Sequence, residues 1–129
     1  MNKESRRLLH KAIGHCIANI EVVIINGIKQ VIFDLVNKKQ KLYSLVLYLQ
    51  PDGLISRVVS SNKRTVTKIF TEYTGLVIID VLTEHEYVLV CTSSIYLHIN
   101  LNKGELKNIA NQEGQEMHDS FRITKHGFE

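Results

Sequence analysis

The stretch IEVVII, then Asn26-Gly27, then IKQVIF restricts the fold more than any other part of the chain. An Asn-Gly pair between β-branched runs is the signature of a two-residue type I′ hairpin. Both central residues of that turn need positive φ, which Asn and Gly tolerate best. The pattern predicts strands near 20–25 and 28–36.

Turn signals continue downstream at even spacing. Asn37–Gln40, Pro51-Asp52-Gly53, Ser61–Arg64, Thr74-Gly75, Thr83–Glu86, Thr92–Ser94 and Asn102-Lys103-Gly104 separate strands expected at 41–49, 54–60, 65–73, 76–82, 87–91 and 95–101. Such punctuation predicts an antiparallel up-and-down β-meander of seven to eight strands. Segment 65–73 also fits helical spacing through Val66, Ile69, Phe70 and Tyr73, with Gly75 placed to end a helix. Its Val, Ile, Phe, Tyr and Thr content favours a strand, and that is the reading adopted.

Upstream, Leu8, Leu9, Ala12, Ile13, Cys16, Ile17 and Ile20 recur at helical intervals and cover about half of a helix circumference. They predict an amphipathic helix over about 4–19. Lys3, Arg6 and Arg7 would lie at the positive end of its dipole, where cations are unfavourable. From Ala110 the sequence turns polar and aperiodic, which predicts a polar C-terminal tail over 110–129, with Phe121, Ile123 and Phe128 able to dock onto the body. The fold class is therefore α+β, mainly β: an N-terminal amphipathic helix packed on an antiparallel meander, in one domain spanning 1–109. The strands near 42–49 and 76–82 are apolar on both faces and need cover on both. The helix supplies one cover; a second sheet, partial barrel closure or another copy of the chain must supply the other.

Composition bounds the functional classes. With 44% apolar residues, a chain of 129 can build one core. No run reaches the roughly 18–20 consecutive apolar residues of a membrane span. The first residues are charged and not signal-like, so a cytoplasmic protein with no membrane partner is expected. Cys16 and Cys91 each sit among apolar residues and read as core thiols. Charge is unevenly divided: residues 1–68 hold 12 Lys/Arg and 4 Asp/Glu, whereas residues 69–129 hold 4 and 9. Such asymmetry suits a partner that reads one charged surface.

Catalytic signatures are missing. The six histidines include no HExxH pair, and the cysteines form no CxxC. His10 and His15 are five apart, about 140° around a helix, too far to share a ligand face. There is no GxSxG elbow, P-loop or GxGxxG. The Glu84-His85-Glu86 cluster reads as a solvated hairpin loop. No catalytic residue, metal site or cofactor is expected.

In an up-and-down sheet, successive turns alternate between two ends. The turns at 37–40, 61–64, 83–86 and 102–104 would share one end and gather Lys38, Lys39, Lys63, Arg64, Glu84, His85 and Glu86 into a recognition surface. Charged loops on a rigid sheet are common carriers of function. The expectation is a non-enzymatic protein-binding module, most concretely an immunity protein that binds and neutralises a bacterial toxin. The alternatives are a nucleic-acid or phosphate-binding module that uses the basic loops, or a small-molecule-binding β-barrel.

Overall fold

A computed structural model of the chain describes residues 3–50, 53–58 and 65–127, with the backbone alone described at 50, 53–58, 65 and 122–127. Asn26 and Gly27 both have positive φ, 52° and 78°. They close the hairpin of β1 (Cys16–Ile25) and β2 (Ile28–Val36), in which Ile25 faces Ile28. Next come β3 (Leu42–Gln50) and β4 (Gly53–Val58), each antiparallel to the strand before it. β5 (Thr65–Phe70) then pairs with β1, giving a five-stranded sheet of order β4-β3-β2-β1-β5.

The second sheet is a simple meander of β6 (Ile78–Glu84), β7 (Tyr87–Thr92), β8 (Tyr96–Asn100) and β9 (Glu105–Ile109). The fold is thus α+β and mainly β, as expected, but with nine strands in two sheets among the described residues. Turn spacing counts strands; it does not say which strand a given one will pair with. Segment 65–70 is a strand, and 72–75 form a turn. Among the described residues neither sheet closes into a barrel, since β4, β5, β6 and β9 are edges.

β1 joins the sheets. Beyond Phe70 the chain loops out and returns to the same edge of β1, where Gly75 N–H donates to Ile17 O (2.7 Å), Ile17 N–H to Leu76 O (2.8 Å) and Ile78 N–H to His15 O (3.0 Å). Opposite, on the β2 side, Ala18 is an extra residue between the Ile17–Leu35 and Asn19–Asp34 pairs. The Thr74 hydroxyl donates to Ala18 O at 3.0 Å. A bulge of this kind bends a strand, and strands that switch sheets form the corners of packed sheets.

The bulge also explains why the first helix is shorter than its sequence pattern. α1 spans Lys3–Lys11, not 4–19. Its end tightens into i→i−3 bonds from Ala12, Ile13 and His15, and Gly14, at φ 92°, turns the chain and donates its N–H to Ile78 O. Cys16 already belongs to β1. With one extra residue at Ala18, Ile17 and Ile20 both point inward although they are three apart, which mimics helical spacing. A helix of nine residues is too short to persist alone; α1 is held by Leu8, Leu9 and Ala12, all buried in the main core. Each leucine is worth about 1.5–3 kcal/mol when fully buried.

That core lies between the sheets. Val22, Val31, Phe33, Leu45 and Leu47 meet Val81, Val88, Val90, Leu97 and Ile99. Of the covers that two-faced strands required, the second sheet is the one found. The other face of the first sheet carries a small cluster, Val23, Ile32, Val46 and Tyr48. Cys16 and Cys91 are not joined in a disulfide.

The segment expected to be a polar tail is a second helix, α2 (Asn111–Gly127), docked on the outer face of the second sheet. Met117 and Phe121 pack there against Leu82, Leu89 and Cys91, as expected for Phe121, whereas the side chains of Ile123 and Phe128 lie outside those described. Only this sparse i, i+4 pair marks the helix in the sequence, which is why its periodicity escapes notice. Gly114 is buried against Tyr96; a Cβ there would stand 2.3 Å from the ring.

Two outcomes test this architecture. Gly27→Val should lower stability by about 1 kcal/mol or more in chemical denaturation, since a β-branched residue is poorly accommodated at positive φ. Gly114→Ala should cost about 1–3 kcal/mol through overpacking. In a Cys16→Ala background it should also speed thiol labelling of Cys91. Unchanged labelling would show that α2 does not depend on this close approach.

Candidate functional site

The pairing register lays out the outer face of the second sheet as three cross-strand rows. The first is Glu84–Tyr87–Asn100–Glu105, the second Leu82–Leu89–His98–Lys107, the third Asp80–Cys91–Tyr96–Ile109. α2 covers the third row and the apolar part of the second. It is fastened by Met117 and Phe121, by a Tyr96 hydroxyl to Gln115 Oε1 bond (3.0 Å), and by His118 Nε2 against Asp80 Oδ2 (3.0 Å).

Among the described side chains, those of α2 leave uncovered the first row together with His98 and Lys107. The Tyr87 and His98 rings stack there, with centroids 5.1 Å apart and planes 18° from parallel. Around them lies a shallow hollow of about 210 Å³, lined by Tyr87, His98, Asn100, Lys103, Glu105 and Lys107. Asn100 Oδ1 accepts the Lys103 N–H (3.1 Å) and so fixes the β8–β9 turn at the rim. The β6–β7 turn is tied beside it by Leu101 N–H to Glu86 O (3.0 Å). His85, at the tip of that turn, is exposed and has φ 53°, a conformation for which histidine is more common than most residues. Half-burial of the imidazole and the nearby Lys107 ammonium hold the His98 pKa below the usual histidine value, against the opposing pull of Glu113.

The residues singled out in the sequence do not form one surface. Glu84, His85 and Glu86 share an end of the second sheet with the 101–104 turn, as expected. That turn meets the first sheet at its Asn26-Gly27 end, where Lys29 Nζ donates to Lys103 O (3.3 Å). Lys38 and Lys39 stand at the other end of β2, in the turn between Val36 and Leu42. Lys63 and Arg64 lie outside the described residues. The alternation of turns fails at β5. A strand following β4 by a hairpin would start level with Val58, opposite Leu45; β5 starts instead at Thr65 opposite Ile24, near the Asn26-Gly27 end. Every later turn is therefore displaced to the other end.

The sequence singled out the acidic turn of this site but not its centre. Tyr96, His98 and Asn100 could be assigned to one face from the alternation in 95–101. Glu105 and Lys107 could not, because β9 has only Leu106 and Ile109 as apolar residues and no alternation to mark it. Among the described residues no group of three His, Cys, Asp or Glu side chains is placed to hold a metal ion. No helix among them is long and apolar enough to cross a membrane. No protein-family model matches the chain, and no curated protein or solved structure matches it significantly.

His98 gives a direct check on this geometry. Its imidazole resonances should titrate below the 6.5 usual for histidine. A depressed folded-state pKa means that the unfolded chain binds the proton first as pH falls, so this residue subtracts stability on acidification below about 6.5 and nothing above it. His98→Asn should flatten that part of the stability–pH curve. A His98 titrating at or above the usual value would contradict the half-buried ring.

Proposed function

We propose that the chain is a non-enzymatic protein-binding module, most concretely a cytoplasmic immunity protein that binds and neutralises a bacterial toxin. The observation that carries this reading is the half of the second sheet left open by α2. It offers a stacked tyrosine–histidine pair on a rigid sheet, edged by the Asn100 amide, the Glu105 carboxylate and the ammonium groups of Lys103 and Lys107. Tyrosine is enriched at protein interfaces, where it supplies contact area for little conformational entropy. Side chains already fixed by strand register and turn bonds lose less on binding.

The charges suggest the partner's character. Glu105 lines the hollow and Glu84 stands in the same cross-strand row, with Glu113 close to His98 and two lysines, Lys103 and Lys107, in the lining. A partner with a basic surface, such as a nuclease toxin whose active site grips phosphates, fits this frame. Complementary charge would raise the association rate and make it sensitive to salt. The small-molecule reading is less well supported: the hollow, at about 210 Å³, falls below the 300–1,000 Å³ common for such pockets, and it is open.

The test is affinity purification from the native host with quantitative mass spectrometry. Wild-type protein should capture a specific partner, and expression should protect cells from it. Glu84→Lys with Glu105→Lys should lose both capture and protection, while Lys38→Glu with Lys39→Glu should keep them. Equal capture by the Glu84/Glu105 variant would remove this face as the interface.

A further inference from the structure

The geometry points to a second surface, at the opposite end of β2: α1 and the Asn37–Lys41 turn together form a docking face for the phosphate backbone of a double-stranded nucleic acid. The inference is independent of the protein-binding reading, which concerns the outer face of the other sheet.

Tyr43 holds the two elements side by side. Its hydroxyl donates to Leu8 O in α1 (3.4 Å), and its ring lies 5.1 Å from Lys11 Nζ and 5.5 Å from the His15 ring. Tyr43 stands two residues beyond Lys41, so the Arg7–Lys11 side of the helix adjoins the turn. The turn itself is stiff. Asn37 Oδ1 accepts both the Lys39 N–H (2.8 Å) and the Lys41 N–H (3.0 Å), and Gln40 takes up a φ of 61°. Lys3, Arg7, Lys11, Lys38, Lys39 and Lys41 are thereby collected on one side of the molecule, all exposed. Glu4 is the one carboxylate described in α1, and it is engaged by Arg7, with Nε to Oε2 at 3.0 Å. None of the five lysines has a carboxylate partner among the described residues.

This concentration of like charge works against the fold. Lys3 lies at the positive end of the α1 dipole, and three lysines crowd a turn of five residues. A polyanion relieves both. Lysine acts as a point charge on phosphates, which suits a backbone read without regard to sequence. A membrane is the poorer fit, because an interfacial helix needs a free apolar face and that of α1, Leu8, Leu9 and Ala12, is buried in the core. A single strand is also the poorer fit, because the Tyr43 ring that could stack on a base is occupied by Lys11 and His15.

Fluorescence anisotropy with the full chain tests this, using labelled duplexes of about 20 base pairs of DNA or RNA, a matching single strand, and phosphatidylserine-containing vesicles, at about 50 and 200 mM salt. Duplex binding should weaken steeply with salt. Lys38→Gln/Lys39→Gln/Lys41→Gln should weaken it at least tenfold at low salt and reduce the log–log salt slope by about 1 for each lysine that meets a phosphate. Lys3→Gln/Lys11→Gln should act in the same direction, and Glu84→Gln/Glu86→Gln should not weaken it. Thermal midpoints confirm that the variants fold. No duplex binding at low salt, undiminished binding by both lysine variants, or preference for vesicles or the single strand would each overturn the proposal.

Discussion

Hydrogen bonds leave β1 on both edges, and both sheets hang from them. One edge carries the hairpin with β2; the other carries β5 and then, after a loop, the start of β6. An unpaired backbone group is costly when buried, so a strand shared between two sheets must account for each carbonyl where it bends. Two threonines do this. Thr74 donates to Ala18 O at the bulge on the β2 side, and Thr67, itself the extra residue in β5, donates to Val22 O at 2.9 Å. The corner between the sheets is thus built from side-chain hydroxyls that replace missing ladder bonds.

This construction separates the molecule's charges. Among the described residues, the chain up to Phe70 forms α1 and the first sheet, and the rest forms the second sheet and α2. For those residues the sequence boundary between basic and acidic parts is therefore a spatial one as well. α2 adds to the separation: it packs Met117 and Phe121 on the apolar rows of the second sheet, and its described side chains leave bare the row that holds Glu84 and Glu105.

How far the fold was legible depended on the range of the interaction responsible. The Asn26-Gly27 hairpin is a local matter of backbone sterics and was readable with its register. The alternation of Ile95, Leu97, Ile99 and Leu101 against Tyr96, His98 and Asn100 was equally clear, and Leu97, Ile99 and Leu101 are buried as it requires. The extent of α1 was not readable, because a bulged strand and a helix both bring residues three apart onto one side. Nor was the pairing of β5 with β1, which depends on partners about 45 residues apart and has no local mark. The candidate site shows the same division. Glu84, His85 and Glu86 announced themselves as a charged turn, while the Tyr87–His98 stack depends on register between strands. Lys38 and Glu84 were assigned to one end by an alternation that one long-range pairing overturned.

The shared strand also imposes an order on assembly. β1 and β2 are joined by two residues and can pair within microseconds, as hairpins do. The Thr74–Ala18 bond closes a loop of 56 residues, and its entropy must be met before the contact contributes anything. Until then β1 presents one satisfied edge and one open edge, the arrangement most prone to pair with a neighbouring chain. Closure of β5 and β6 onto that edge is the step at which two half-built sheets become one cooperative unit, and loosening of the corner exposes the same edge again.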